Sequence, residues 1–205
     1  MPPVAQPQPL TKPRLLIGEG WDEVNFFEAL LAHLNIGDIQ VEQYGGKNGL
    51  GSYLREFRLR PGNQGVVALG ITRDTDPVLP QAFQSVCGAL AAHGLSSPGS
   101  PGQVVAGPPR VGVFLMPDNQ RTGMLEDLCW DAVQTDPAIP CVHDYFQCIS
   151  QKAGRQPNNM PKARMHAWLA SQLEPDRRLG EAAKSGFLPW SNAAFATLIN
   201  FIQNL

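Results

Sequence analysis

The order of strand-like and helix-like segments predicts an α/β fold with a mainly parallel central sheet, helices on both faces and a C-terminal helical cover. Short apolar runs alternate with amphipathic helical patterns in the first half of the chain. Two of these runs, at 15–17 and 66–71, lead directly into turns that carry acidic residues. Strands that alternate with helices usually pair in parallel, because a crossover helix returns the chain to the same end of the sheet.

Three successive strand–helix units are expected before residue 94. Each strand is a short, mainly apolar run close to Gly or Pro, and each helix has apolar residues at spacings of three and four. The predicted strands are 15–17, 39–41 and 66–71. The predicted helices are 21–34, 50–59 and 80–93.

A strand pair followed by helices is expected in the second half. The tight Gly-Pro-Pro link at 107–109 predicts that strands 103–106 and 111–116 form a hairpin or an edge pair. The predicted helices that follow are 123–133, 138–153, 161–173, 177–184 and 192–204. Because these helices have apolar faces suited to the same core, residues 14–205 are expected to form a single domain with a C-terminal helical extension. The Pro/Gln-rich residues 1–13 are expected to be a disordered lead-in.

Composition and charge narrow the class of protein. The chain of 205 residues is 43% hydrophobic, with a net charge of −2, a pI of about 6.1 and a mean hydropathy of −0.17. Weak non-specific binding to nucleic acid is therefore expected. No apolar run approaches the ~20 residues of a membrane helix. The four cysteines form no CxxC pair, which predicts reduced thiols and a cytoplasmic protein without a membrane partner.

Acidic residues cluster at the predicted ends of two strands. Glu19 and Glu23 are four residues apart on the first turns of a helix, so both face the same side. Asp74 and Asp76 follow the third strand, and Glu126 lies near a later helix start. Carboxyl ends of parallel strands meet at one pocket, and carboxylate oxygens are the ligands that Mg²⁺ or Mn²⁺ prefers. One or two such ions are expected there.

Plainer interpretations exist for each of these residues. Acid pairs on a helix turn are often only solvated, and Glu126 could simply favour the helix dipole. Lys47, in the glycine-rich loop 45–49, could help to bind a phosphate, or the loop could be an ordinary turn. Lys162 could be a surface lysine of a first helical turn. Arg73 could pair with the neighbouring acids or contact a substrate.

The two acidic motifs together resemble the TOPRIM family. A glutamate after the first strand, here in Gly18-Glu19-Gly20, and a DxD after the third, here Asp74-Thr75-Asp76, mark that fold. Topoisomerases, bacterial primases and the overcoming-lysogenization-defect (OLD) nucleases share it. The spacing of ~55 residues suits two intervening helices and one strand. The resemblance implies a TOPRIM-like α/β domain.

Three further features are similar to the OLD branch and to small stand-alone TOPRIM-like proteins. Glu23 completes an ExxxE motif with Glu19. The Pro-Asp-Asn at 117–119, followed by Gly-Met-Leu-Glu at 123–126, resembles a later segment of that group. Lys162 resembles the lysine that the group places before its last core helix. The resemblance covers roughly residues 14–190.

The resemblance implies a Mg²⁺- or Mn²⁺-dependent site for phosphoryl chemistry on DNA or RNA. Glu19 and Asp74 would be direct metal ligands, and Lys162 would stabilise charge on the phosphate in the transition state. The residues that would complete one or two metal sites are Glu23, Asp76 and Glu126. A nuclease or a related phosphotransfer enzyme is the leading hypothesis.

The OLD nucleases also carry an ATPase domain, and this sequence has no GxxxxGK[ST] motif. An alternative is therefore a non-catalytic module that binds metal or nucleotide, or a subunit of a larger nucleic-acid-processing or defence system with a partner such as an ATPase. A third hypothesis is a structural protein whose acids are only solvated. The oligomeric state stays open.

Overall fold

A computed structural model of the chain describes residues 9–75 and 78–205. Within them, a five-stranded sheet has the order β2-β1-β3-β5-β4. The strands are β1 (Arg14–Gly18), β2 (Ile39–Gln43), β3 (Ala68–Arg73), β4 (Val104–Val105) and β5 (Arg110–Leu115). Strands β2, β1, β3 and β5 run parallel, and β4 pairs antiparallel with β5. The predicted α/β class, the mainly parallel sheet and the final strand pair are confirmed.

Helices follow the strands in the predicted order. They are α1 (Trp21–His33), α2 (Leu50–Phe57), α3 (Leu79–Ala92), α4 (Leu125–Ala132), α5 (Ile139–Ala153), α6 (Met160–Leu169), α7 (Leu179–Lys184) and α8 (Ala196–Asn204). Short 3₁₀ turns are Asn63–Gly65 and Ala193–Phe195. The predicted helix at 161–173 ends four residues early, and turns occupy the segment before α7. The predicted strand at 66–71 begins two residues late, because the N–H of Val66 bonds back to Asn63.

The sheet has a separate apolar core on each face. Leu15 and Ile17 of β1 pack with α2 and α3, whereas Leu16 between them packs with α1 and the C-terminal helices. This division follows from the alternation of side chains along a strand. Helices α4 to α8 share a core with α1, so they form the expected cover on one face. Each fully buried Leu or Phe contributes about 1.5–3 kcal/mol.

Residues before β1 already pack against the domain. Of the predicted lead-in, residues 1–8 lie outside the described part of the chain. Leu10 is buried, and its backbone N–H donates to the carbonyl of Pro61 over 3.0 Å. Thr11 bonds to the side chain of Gln40. The packed chain therefore begins before the predicted boundary at residue 14.

Composition led to two expectations, one about membrane-spanning helices and one about the cysteines. None of the helices in the described part of the chain combines the length and apolar character that a membrane crossing requires. The four cysteines are free thiols, and Cys129 is fully buried in the helical core.

Candidate functional site

The first two acidic positions meet at the carboxyl ends of neighbouring strands. Strands β1 and β3 are paired with Ile17 opposite Ile71, so Glu19 and Asp74 follow the two strands at the same edge of the sheet. The backbone N–H of Asp74 donates to Oε1 of Glu19 over 3.2 Å. The structure therefore brings together the glutamate of the first motif and the first aspartate of the second.

Helix α4 adds a third carboxylate to this edge. Oδ1 of Asp74 accepts a hydrogen bond of 3.1 Å from the N–H of Leu125, the first residue of α4. Glu126 is the next residue along the helix. Asp74 thus accepts a hydrogen bond from a free N–H at the start of α4. The dipole of α4 favours a negative charge at this position.

Thr75 fixes the segment that delivers α4. Its side chain is fully buried, and its hydroxyl donates to the carbonyl of Met116 over 2.8 Å. The same oxygen accepts from the N–H of Gly123 over 2.7 Å, and the N–H of Thr75 donates to the carbonyl of Gly123. These bonds hold the chain between β5 and α4 against the end of β3.

The carboxylates at this edge share one electrostatic environment. Burial raises the pKa of Asp74 well above its ordinary value of 3.8, and the negative charges of Glu19, Glu23 and Glu126 raise it further. Burial also raises the pKa of Glu19, although Arg73 and the N–H of Asp74 oppose that rise. The pKa of Glu23 is raised by burial and by Glu19 and Glu126. The neighbouring carboxylates thus contribute to the raised pKa values of Asp74 and Glu23.

Glu23 and Asp127 have structural roles in addition to their charge. Oε2 of Glu23 accepts from the N–H of Gly20 over 3.0 Å and caps the start of α1. Oδ2 of Asp127 does the same for Met124 at the start of α4, over 2.9 Å. The approach of Glu23 also explains Gly18, where an added Cβ would lie 2.7 Å from the Cβ of Glu23.

A lysine from α6 faces the acids from the helical cover. Nζ of Lys162 lies 3.6 Å from Oε1 of Glu126. Glu126 is the main cause of the raised pKa of Lys162, with contributions from Asp74 and Glu23. The position follows from the local fold, because the side chain of Asn159 caps α6 by accepting from the N–H of Lys162.

The glycine-rich loop after β2 contacts Glu19 from the β2 side of β1, whereas Asp74 follows β3 on the other side. Gly45 and Gly46 both have φ in the left-handed region, which glycine adopts without strain. The N–H of Gly46 donates to the carbonyl of Glu19 over 2.8 Å, and Arg73 donates to the carbonyl of Lys47. The charges of Arg73 and Lys47 both lower the pKa of Glu19. The loop thus lies at the rim of the acidic site.

Two residues at the site were not singled out from the sequence. Thr75 is the middle residue of the DxD motif, and its burial and hydrogen bonds show its role. Tyr44 is buried at the end of β2, and its hydroxyl donates to the carbonyl of Thr72 over 2.9 Å. Burial raises the pKa of Tyr44, and Glu19 and Asp74 raise it further. The only sequence signal for Tyr44 is its position between a predicted strand and a glycine-rich loop.

The donor chemistry of this edge fits a hard divalent cation, but the side-chain positions do not yet form a complete ligand shell. Carboxylate oxygens are the preferred ligands of Mg²⁺ and Mn²⁺. Among residues 9–75 and 78–205, however, no group of three Asp, Glu, His or Cys side chains converges closely enough to hold an ion. Asp76 lies outside the described residues. The predicted ligand set therefore stays a prediction.

Sheet order and site together define an α/β protein with a mainly parallel sheet and carboxylates grouped at the ends of its strands. The chain belongs to DUF3226, a family described as a protein of unknown function, whose model matches residues 13–205. No curated protein matches the sequence.

Solved structures similar to this chain include C-terminal regions of OLD proteins. The region from Burkholderia pseudomallei is 13% identical with a TM-score of 0.49, and the match covers 95% of this chain and 98% of that one. The region from Xanthomonas campestris pv. campestris is 16% identical with a TM-score of 0.47, and the match covers 94% and 95%. This likeness concerns the path of the chain and carries nothing about activity.

Proposed function

We propose that this protein is a Mg²⁺- or Mn²⁺-dependent nuclease, or a related phosphotransfer enzyme, that acts on nucleic acid through a TOPRIM-type acidic site. The observation that carries the proposal is the contact between the ends of β1 and β3, where the N–H of Asp74 donates to the carboxylate of Glu19. Glu23 and Glu126 contribute negative charge to the same edge. A cluster of partly buried carboxylates, some with pKa values raised by burial and by neighbouring charges, is typical of a functional site.

Glu19 and Asp74 are the residues that would hold the cation, with Glu23, Glu126 and Asp76 as further oxygen donors. Rotation of the side chains is needed, because those in the described residues do not converge as they stand. When bound, the metal would neutralise phosphate charge and activate a water molecule. The protein itself orients the donors through the backbone bonds of Asp74 to Glu19 and of Leu125 to Asp74.

Two lysines supply positive charge on either side of the acids. Lys162 lies beside Glu126, and its raised pKa keeps the ammonium protonated, so that it can stabilise charge developing on a phosphate. Lys47 lies in the loop on the Glu19 side and would contact a neighbouring phosphate. A phosphodiester could therefore lie across the site with a cation at each side.

The direct test is cleavage of single- and double-stranded DNA and RNA by the purified protein with Mg²⁺ or Mn²⁺. Cleavage of at least one substrate is expected, and Asp74→Asn should abolish it while keeping the acceptor for Leu125. Glu28→Gln is the matched control, because Glu28 lies on α1 in an exposed pair with Lys184. Cleavage that survives Asp74→Asn would contradict the proposal.

A second candidate is a module that binds metal or nucleotide without turnover, alone or as the subunit of a system with an ATPase partner. It is favoured by the net charge of −2, which gives the chain little attraction of its own for a nucleic-acid substrate. Calorimetric Mg²⁺ binding without cleavage would support it. Cleavage that appears only after addition of a second protein would identify a subunit.

A further inference from the structure

An exposed tryptophan lies beside the acidic edge. Trp21 is the first residue of α1, two positions from both Glu19 and Glu23, and 69% of its surface is exposed. Trp130 and Trp168, by contrast, are buried in the helical core. An indole ring presented to solvent offers a flat apolar face and one N–H donor to a ligand.

Trp21 lines a groove of about 450 Å³ together with four residues of the edge strand β2. Because Gln43 is aligned with Gly18 across the β1–β2 pair, the groove reaches the level of the residue that precedes Glu19. A ligand in the groove could therefore continue into the acidic site. The remaining lining residues are Gln40, Val41, Glu42, Gln43, Tyr53, Glu56 and Arg60.

Part of the groove wall is held in place by a hydrogen-bonded group around Glu42. The carboxylate of Glu42 accepts from the hydroxyl of Tyr53 and from two nitrogens of Arg60, and it also accepts from Gln40 over 2.7 Å. Arg60 is only 7% exposed, so the charges of this pair are largely satisfied within the wall. The groove is thus preformed and lined with planar groups.

We propose that Trp21 and this groove bind an unpaired nucleobase of the nucleic acid whose phosphate reaches the acidic site. The inference rests on the proposed function and adds the substrate class, a single strand or an unpaired end. Stacking on an indole requires an accessible base face, which a duplex does not offer. A net charge of −2 gives little attraction for phosphates, so contacts to bases must supply affinity.

The test is binding of labelled oligonucleotides to the whole chain in EDTA, where metal-dependent cleavage does not occur. The probes are a single-stranded oligodeoxyribonucleotide, the oligoribonucleotide of the same sequence and a relaxed, covalently closed circular duplex, which has neither a loop nor an end. Trp21→Ala should weaken binding of a single strand about 10-fold, and Trp21→Phe should retain most of it. Tyr145→Ala, at an exposed aromatic residue of α5, is the matched control and should bind as wild type does.

Four results would overturn the inference: no binding of single strands by wild type, unchanged single-strand binding by Trp21→Ala, an equal loss of single-strand binding by Tyr145→Ala, or an equal loss of duplex binding by Trp21→Ala. A preference between the two single strands would identify DNA or RNA as the source of the base. Binding that depends on Trp21 without any cleavage in Mg²⁺ would reject the nuclease and keep the base site. Cleavage that depends on Asp74 but not on Trp21 would support the nuclease and reject the base site.

Discussion

Thr75 and Gly123 are joined by two hydrogen bonds, one from the N–H of Thr75 to the carbonyl of Gly123 and one from the N–H of Gly123 to the Thr75 hydroxyl. The bonds tie the end of β3 to the loop that precedes α4. As a result, Asp74 lies within hydrogen-bond distance of Leu125, and Glu126 joins the acidic edge. The middle residue of the Asp-Thr-Asp motif therefore fixes the geometry of its neighbours.

Replacing Thr75 by Val should destabilise the protein. The change keeps the shape but leaves the N–H of Gly123 and the carbonyl of Met116 without their hydroxyl partner in a buried position. A decrease of about 1–3 kcal/mol in the free energy of unfolding is expected, measured by denaturant titration. Thr75→Ser keeps the hydroxyl and should lose much less. Equal stability of Thr75→Val and wild type would show that the network contributes nothing.

Asp74→Asn should stabilise the metal-free protein at neutral pH, on the order of 1–2 kcal/mol. The pKa of Asp74 in the folded state lies above its ordinary value of 3.8, so the native state binds more protons than the unfolded state. Stability attributable to this group is therefore lost as pH rises above about 4. Asparagine removes the buried charge and keeps an acceptor for Leu125.

The pH dependence separates this charge effect from a change in packing. The difference in free energy of unfolding between Asp74→Asn and wild type should shrink as the pH falls towards 4, where the aspartate becomes protonated. Thermal unfolding across this range in EDTA provides the measurement. A difference that is the same at every pH would show that the charge of Asp74 is not its cause.

Mg²⁺ should raise the melting temperature, because a ligand that binds only the folded state stabilises it. The effect should be larger near pH 8 than near pH 5, since protons compete for carboxylates whose pKa values are raised. The pKa values of Glu19, Glu23 and Asp74 are all raised in the folded protein. Glu19→Gln should remove most of the shift, whereas Glu28→Gln should leave it intact. An unchanged melting temperature at saturating Mg²⁺ would count against the metal site.

Lys162→Met should reduce cleavage at least 10-fold while changing stability little. The Lys162–Glu126 pair is 3.6 Å long with the lysine half exposed, and such pairs contribute about 0–1 kcal/mol. Loss of a positive charge beside the reacting phosphate is more costly. Lys184→Met removes a comparable exposed lysine that pairs with Glu28, and initial rates of the two variants can be compared directly. Similar cleavage rates for the two variants would show that Lys162 is an ordinary surface lysine without a role in catalysis.

Much of the fold could be predicted because the alternation of strand and helix is local information. The pair β4–β5 followed from the Gly-Pro-Pro link, and the parallel strands from the intervening helices. Helix ends were less accurate where tertiary contacts decide them, as after Leu169. The segment around Leu10 packs through a backbone bond to Pro61, which composition does not indicate.

For the candidate site, the sequence indicated that Glu19 and Asp74 lie together, because both follow buried parallel strands. It did not indicate that Glu23 and Asp127 cap their own helices, since a capping acid and a metal ligand have the same spacing. The sequence predicts only that Trp21 begins a helix, and the structure shows that it is exposed and lines the groove beside β2. Asp76 remains a prediction outside the described residues.

The two apolar cores on opposite faces of the sheet should tolerate substitution to different degrees. Asp74 follows β3 and accepts a hydrogen bond from α4, and Glu126 of α4 pairs with Lys162 of α6. Helices α4 and α6 both belong to the core on the side of the helical cover. Helices α2 and α3 pack on the opposite layer and provide none of these contacts. Substitutions that repack α3 should therefore accumulate without disturbing the acids, whereas α2 also carries Tyr53 of the groove beside β2.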